Sequence, residues 1–170
     1  HGIATMYVLQ YETNPEKGRA LREVPADCVA SVNTHDMPQF AAYWQGLDIK
    51  DRLGLGLLTA EAAAEERRRR AGLRRRITEF LRAQGLLSAA EPTCPQVLEA
   101  CERYLAASGA EIMLVNIEDL WGETEPQNRP GTYREHPNWR RKARYAFDEF
   151  SEMPEVARIL GAIDRLRRQS

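Results

Sequence analysis

Three short apolar runs, each stopping at a polar cluster that includes a carboxylate, constrain this chain most: Thr5 to Glu12, Val29 to Asp36 and Glu111 to Asp119. Ile112-Met113-Leu114-Val115 is continuously apolar, the signature of a strand buried on both faces of a parallel sheet. Between the runs the period changes. Phe40, Tyr43, Trp44 and Leu47 sit at i, i+3, i+4 and i+7, and Leu73, Ile77, Phe80 and Leu81 form a second helical stripe. Thr59 is a good N-cap for a helix running to about Gln84, which Gly85 can end. Val97, Leu98, Cys101, Tyr104 and Leu105 line another helix, closed by Ser108-Gly109. Strand, helix and strand in alternation predict βαβ units. The first strand is expected over Ile3 to Tyr11, followed by a turn at Thr13 to Gly18. Gly122 to Trp139 is rich in turn formers, and a last helix starts at Pro154 with Val156, Ile159, Leu160, Ile163 and Leu166 on one side.

Residues 1–170 are expected to form one unit without an internal boundary. The 24 Lys and Arg nearly balance the 25 Asp and Glu, and a formal charge of -1 gives no global reason to expect a nucleic-acid or membrane partner. Arg67 to Arg70 and Arg74 to Arg76 alternate with an apolar stripe and have acidic neighbours, as on a solvated helix face. Cys28, Cys94 and Cys101 are odd in number and lie in or beside apolar segments, which suits packed, reduced thiols. No run approaches the ~18 apolar residues of a membrane span, and no signal-peptide pattern opens the chain. A cytoplasmic location is expected, with no cofactor. His35, His136 and Asp36 are conceivable metal ligands, but nothing else at zinc spacing supports them.

In parallel α/β folds ligands bind at the carboxyl ends of strands. Gln10-Tyr11-Glu12, Asn33-Thr34-His35-Asp36 and Asn116-Ile117-Glu118-Asp119 are expected to point the same way. Several carboxylates at one cleft suit glycoside chemistry, with one protonating the leaving oxygen and a second attacking or positioning the sugar. Alternatively, Glu118 and Asp119 cap the following segment and His35 satisfies a backbone carbonyl. Trp44, on the helical stripe, is expected in the core; Trp121 and Trp139 lie in or beside the loop-rich stretch, where either packing or sugar stacking is open to them.

Thr34-His35-Asp36 with its following helix, the stretch Ile117 to Thr132 containing Asn128-Arg129-Pro130-Gly131-Thr132, and His136-Pro137-Asn138-Trp139-Arg140-Arg141 together resemble the C-terminal part of the amylomaltases. These are the 4-alpha-glucanotransferases of glycoside hydrolase family 77, enzymes of maltodextrin and glycogen metabolism. Met6-Tyr7-Val8-Leu9-Gln10-Tyr11 resembles the strand after that family's acid/base carboxylate. The resemblance implies an α/β fold, the C-terminal portion of a (β/α)8 barrel with about three parallel strands and flanking helices. It implies retaining transfer of α-1,4-glucan segments through a covalent glycosyl-Asp. Asp36 then stabilises the oxocarbenium-like transition state, while His35 and Asn128 bind substrate. Glu118 and Asp119 become supports for the loop that follows them.

The same resemblance places the nucleophilic Asp and the acid/base Glu on earlier strands. With His1 directly before an apolar run, the chain is expected to be part of something longer and catalytically silent alone. A sheet missing its neighbours exposes strand edges, so self-association is expected. The alternative is a non-catalytic glucan-binding or oligomerisation module built from the same sequence.

Overall fold

The structure, a computed structural model, describes residues 3–13 and 19–169. Three parallel strands, β1 (Thr5–Val8), β2 (Cys28–Ser31) and β3 (Ile112–Leu114), form one sheet in the order β1-β2-β3. Register pairs Met6 with Val29 and Val29 with Ile112, and Tyr7 with Ala30 and Ala30 with Met113. Those two rows face opposite sides of the sheet. The helices are α1 (Leu9–Glu12), α2 (Phe40–Gln45), α3 (Leu47–Gly54), α4 (Ala60–Ala83), α5 (Cys94–Ala106), α6 (Phe147–Ser151) and α7 (Pro154–Arg167), with a 3-10 turn at Ile117–Trp121.

Local chemistry sets the ends of these helices. The Thr59 side chain accepts from Ala62 N at 3.2 Å and opens α4 as predicted. Gln96 reaches back to Thr93 N at 2.8 Å and opens α5. The aromatic stripe at residues 40–47 is divided between two helices, because Gly46 at φ 74 ends α2 before α3 begins.

The main core lies between the sheet and α2, α4 and α5, around Tyr7, Ala30, Phe40, Trp44, Ile77, Leu81, Val97 and Leu105. Trp44 is buried and stacks on Phe40, as expected. A second cluster joins Ala106 and Leu120 to Val156, Ile159 and Ile163 of α7.

Several elements differ from the pattern their sequence predicts. The first strand stops at Val8, and Leu9–Glu12 turns into helix, with Gln10 N donating to Val32 O at 3.1 Å. β3 is not buried on both faces: Ile112 is 47% and Leu114 53% exposed, because the helices cover only the Met113 side. Leu160 of α7 is exposed rather than buried with its stripe. The turn expected at Thr13 to Gly18 falls largely on residues 14–18, outside the described residues. Arg70, rather than lying on a solvated face, forks onto Asp48 at 3.0 and 3.1 Å and covers the Tyr43 ring at 3.6 Å. The cysteines are free, with Cys28 and Cys101 buried. Among the described residues no helix is long and apolar enough to cross a membrane.

Candidate active site

The loop between β2 and α2 carries Thr34, His35 and Asp36 out of the carboxyl end of the sheet. Its interior bonds are few: Met37 N donates to Thr34 O at 3.1 Å and Asp36 N to Thr34 Oγ1 at 3.4 Å. Asp36 is half exposed. Asn128 Nδ2 donates to its Oδ1 at 2.6 Å, and His35 Nε2 lies 3.4 Å from its Oδ2. Three residues singled out in the sequence therefore meet at one carboxylate.

Trp139 completes the rim. Its ring centroid lies 5.6 Å from that of His35, it is 60% exposed, and its φ of 61 is unusual for a bulky residue. Trp121 instead packs against Tyr145 and Phe150. A cleft of about 400 Å³ runs beside Asp36 and Asn128, bounded also by Tyr11, Tyr43, Asp51 and Arg129. Arg129 bridges its walls by pairing with Asp51 at 2.9 Å.

The loop bearing Asn128 is fastened by Glu118 together with Gln127, Glu123, Asn138 and Arg141, for which the sequence indicated no such role. Arg141 Nη2 and Gln127 Nε2 both donate to Glu118 Oε1 at 2.9 Å, and Arg141 Nη1 donates to Glu123 Oε2 at 3.2 Å. Burial works to raise the Glu123 carboxyl, but the amides of Glu125 and Thr124 and the Arg141 charge hold it below its ordinary value. Asn138 accepts from Arg129 N at 2.9 Å and donates to Thr132 O at 3.0 Å. Glu118 thus supports the following loop.

Asp119 faces the other way. It accepts from Asn33 Nδ2 at 2.6 Å and from Phe40 N at 2.7 Å, the two ends of the loop that carries Asp36. Burial pushes its carboxyl up to about 7, against the lowering effect of those two donors, and Glu118 adds to the rise. Behind it Glu102 is fully buried, and among the described residues neither of its carboxyl oxygens has a hydrogen-bond partner. Burial, and then the Asp119 charge, push Glu102 up to about 8. A carboxyl with no donor stays protonated more readily than one with two.

The first polar end contributes less than expected. Glu12 is engaged by Arg22 at 2.9 Å, and Gln10 is buried beside the cleft. His136 Nε2 lies 3.3 Å from Pro126 O. Among the described residues no group of three or more His, Cys, Asp or Glu side chains could hold a metal ion.

Comparison with known proteins gives this geometry a family. Residues 1–147 match the profile of the 4-alpha-glucanotransferase family. The 4-alpha-glucanotransferase of Mycobacterium tuberculosis (strain ATCC 25618 / H37Rv) is 35% identical over 144 residues, 82% of this chain and 20% of the relative. That of Haemophilus influenzae is 24% identical over 147 residues, 82% of this chain and 21% of the relative. The chain thus spans about a fifth of the length of these relatives. Amylomaltase from Corynebacterium glutamicum shares the fold with a TM-score of 0.82 at 22% identity, over 94% of this chain and 25% of that one. Amylomaltase from Streptococcus agalactiae in complex with acarbose gives a TM-score of 0.62 at 16% identity, over 97% of this chain and 27% of that one. The chain belongs to the 4-alpha-glucanotransferase family, glycoside hydrolase family 77.

Proposed function

We propose that this chain is the C-terminal part of the (β/α)8 catalytic barrel of a 4-alpha-glucanotransferase, one unit over residues 1–170, and that it supplies the sugar-gripping side of the active site. The observation that carries this reading is the convergence of His35 and Asn128 on Asp36 at the carboxyl end of a parallel sheet, beside an open cleft. Asp36 accepts hydrogen bonds from sugar hydroxyls and favours the oxocarbenium-like state by its charge; His35 and Asn128 orient it and bind the same glucosyl unit. The substrates are α-1,4-glucans of the maltodextrin class, and transfer is retaining, in two displacements. The site works in the cytoplasm without a cofactor.

The nucleophile and the acid/base group lie outside these residues, so the chain alone is silent. Incubating the purified chain with maltotriose is expected to yield no longer or shorter maltodextrins; protein-dependent product ladders would overturn this. On one sheet face Met6, Ile112 and Leu114 are exposed, and β1 and β3 are the sheet's edges, which supports self-association of the isolated chain. Light scattering is expected to show a mass rising with concentration, and a constant monomer mass would count against it.

A further inference from the structure

We infer that Asp119 is a positioning residue, whose carboxylate clamps both ends of the loop carrying His35 and Asp36 and so sets where Asp36 meets the glucan. The role rests on the proposed glucan site; the clamp itself stands on its geometry. Asn33 ends the approach from β2 and Phe40 begins α2, and Asp119 bonds to both at 2.6 and 2.7 Å. Within residues 34–39 the hydrogen bonds are Met37 N to Thr34 O and Asp36 N to Thr34 Oγ1; Met37 and Gln39 are buried, and Asn128 and Tyr43 N reach in to Asp36 and to Gln39 O.

The bonding has a direction that only a carboxylate at position 119 satisfies. Glu118 N donates to Asn116 Oδ1 at 3.2 Å, which turns the Asn116 amide so that its Nδ2 donates to Asn33 Oδ1 at 3.3 Å. Asn33 is then left presenting Nδ2 to residue 119. An amide at 119 would have to accept from both Asn33 and Phe40 through a single oxygen, or set its own NH2 against that of Asn33. Replacing Asn33 by Asp at the same time reverses the polarity: the new carboxylate accepts from Asn116 and from the side-chain amide at 119, whose oxygen still takes Phe40 N.

The groups facing Asp119 are Glu102 and Cys94 from α5 and Glu118 from its own turn. Its two hydrogen-bond donors, Asn33 and Phe40, come from the clamped loop instead.

The test compares the whole chain as wild type, Asp119→Asn and the swap Asn33→Asp/Asp119→Asn by 15N relaxation, with maltoheptaose titration beside it. In Asp119→Asn the amide order parameters of residues 34–37 and 39 are expected to fall from about 0.85 to below about 0.6, with those of α5 and α7 unchanged. The swap restores them, and restores any maltoheptaose affinity lost with them. Should Asp119→Asn not fold, a folded swap with an ordered loop supports the clamp equally well. Unchanged order in Asp119→Asn, or a swap that fails to fold or leaves the loop as mobile as the single variant, overturns the inference. Loop order is read on the free chain, so it decides the clamp even if wild type shows no response to maltoheptaose, the outcome that would sink only the glucan reading.

Discussion

Asn128 donates to Asp36 across 2.6 Å and ties the loop after β3 to the loop after β2. The contact is exposed, and removing it by Asn128→Ala is expected to cost no more than about 1 kcal/mol of stability. Its effect on function is larger under the proposed reading: maltoheptaose binding weakens about tenfold, roughly 1.4 kcal/mol. Calorimetric unfolding and a binding titration on the same sample separate the two.

Arg141 holds two carboxylates that are nearly buried, Glu118 and Glu123. Arg141→Met leaves both without their cation, and the cost is expected near the low end of about 3–5 kcal/mol, because Arg141 itself is partly solvated. Loop 123–141 should then be cut first in limited proteolysis, ahead of α4 and α5. Uniform cleavage along the chain would contradict the assignment.

Glu102 makes stability depend on pH in a definite direction. Its folded value, about 8, stands above its ordinary 4.5, so the folded state holds the proton more tightly. Stability is therefore lost as pH rises between those values and levels off above about 8; Asp119, raised to about 7, works in the same direction. Glu102→Gln removes the larger share, on the order of a few kcal/mol. The Tm difference between Glu102→Gln and wild type is expected to be small at pH 5 and to favour the variant increasingly toward pH 8. A difference that is constant with pH would refute the buried-carboxyl account.

Trp139 pairs an unfavourable backbone with a useful ring. Its φ of 61 costs on the order of 1 kcal/mol or more for a bulky side chain, while its indole borders His35. Trp139→Gly is expected to leave the Tm unchanged or slightly raised and to weaken maltoheptaose binding. A large loss of stability would show that the ring is a packing residue.

Local signals carry the strand and helix alternation, the Thr59 cap, the Pro154 start and the core position of Trp44, because each depends on neighbours a few residues away. The grouping of His35, Asp36 and Asn128 comes through residues whose resemblance to a family is specific. Long-range polar contacts are not legible in the same way. Nothing near Asp119 in the chain indicates that it bonds to Asn33 and Phe40, so it holds the loop before α2 and not, as expected, the loop that follows it. Glu118, its neighbour, does hold the following loop. The apolar run at β3 does not reveal that one face is left uncovered, since apolar residues read alike whether they meet a helix or nothing.

The central claim, that the Asp36 cluster grips an α-1,4-glucan, is tested most directly by titrating the 15N-labelled chain with maltoheptaose. Saturable shifts at His35, Asp36, Asn128 and Trp139, lost in Asp36→Asn, are the predicted result. No shifts at these residues, or identical shifts in Asp36→Asn, would contradict it.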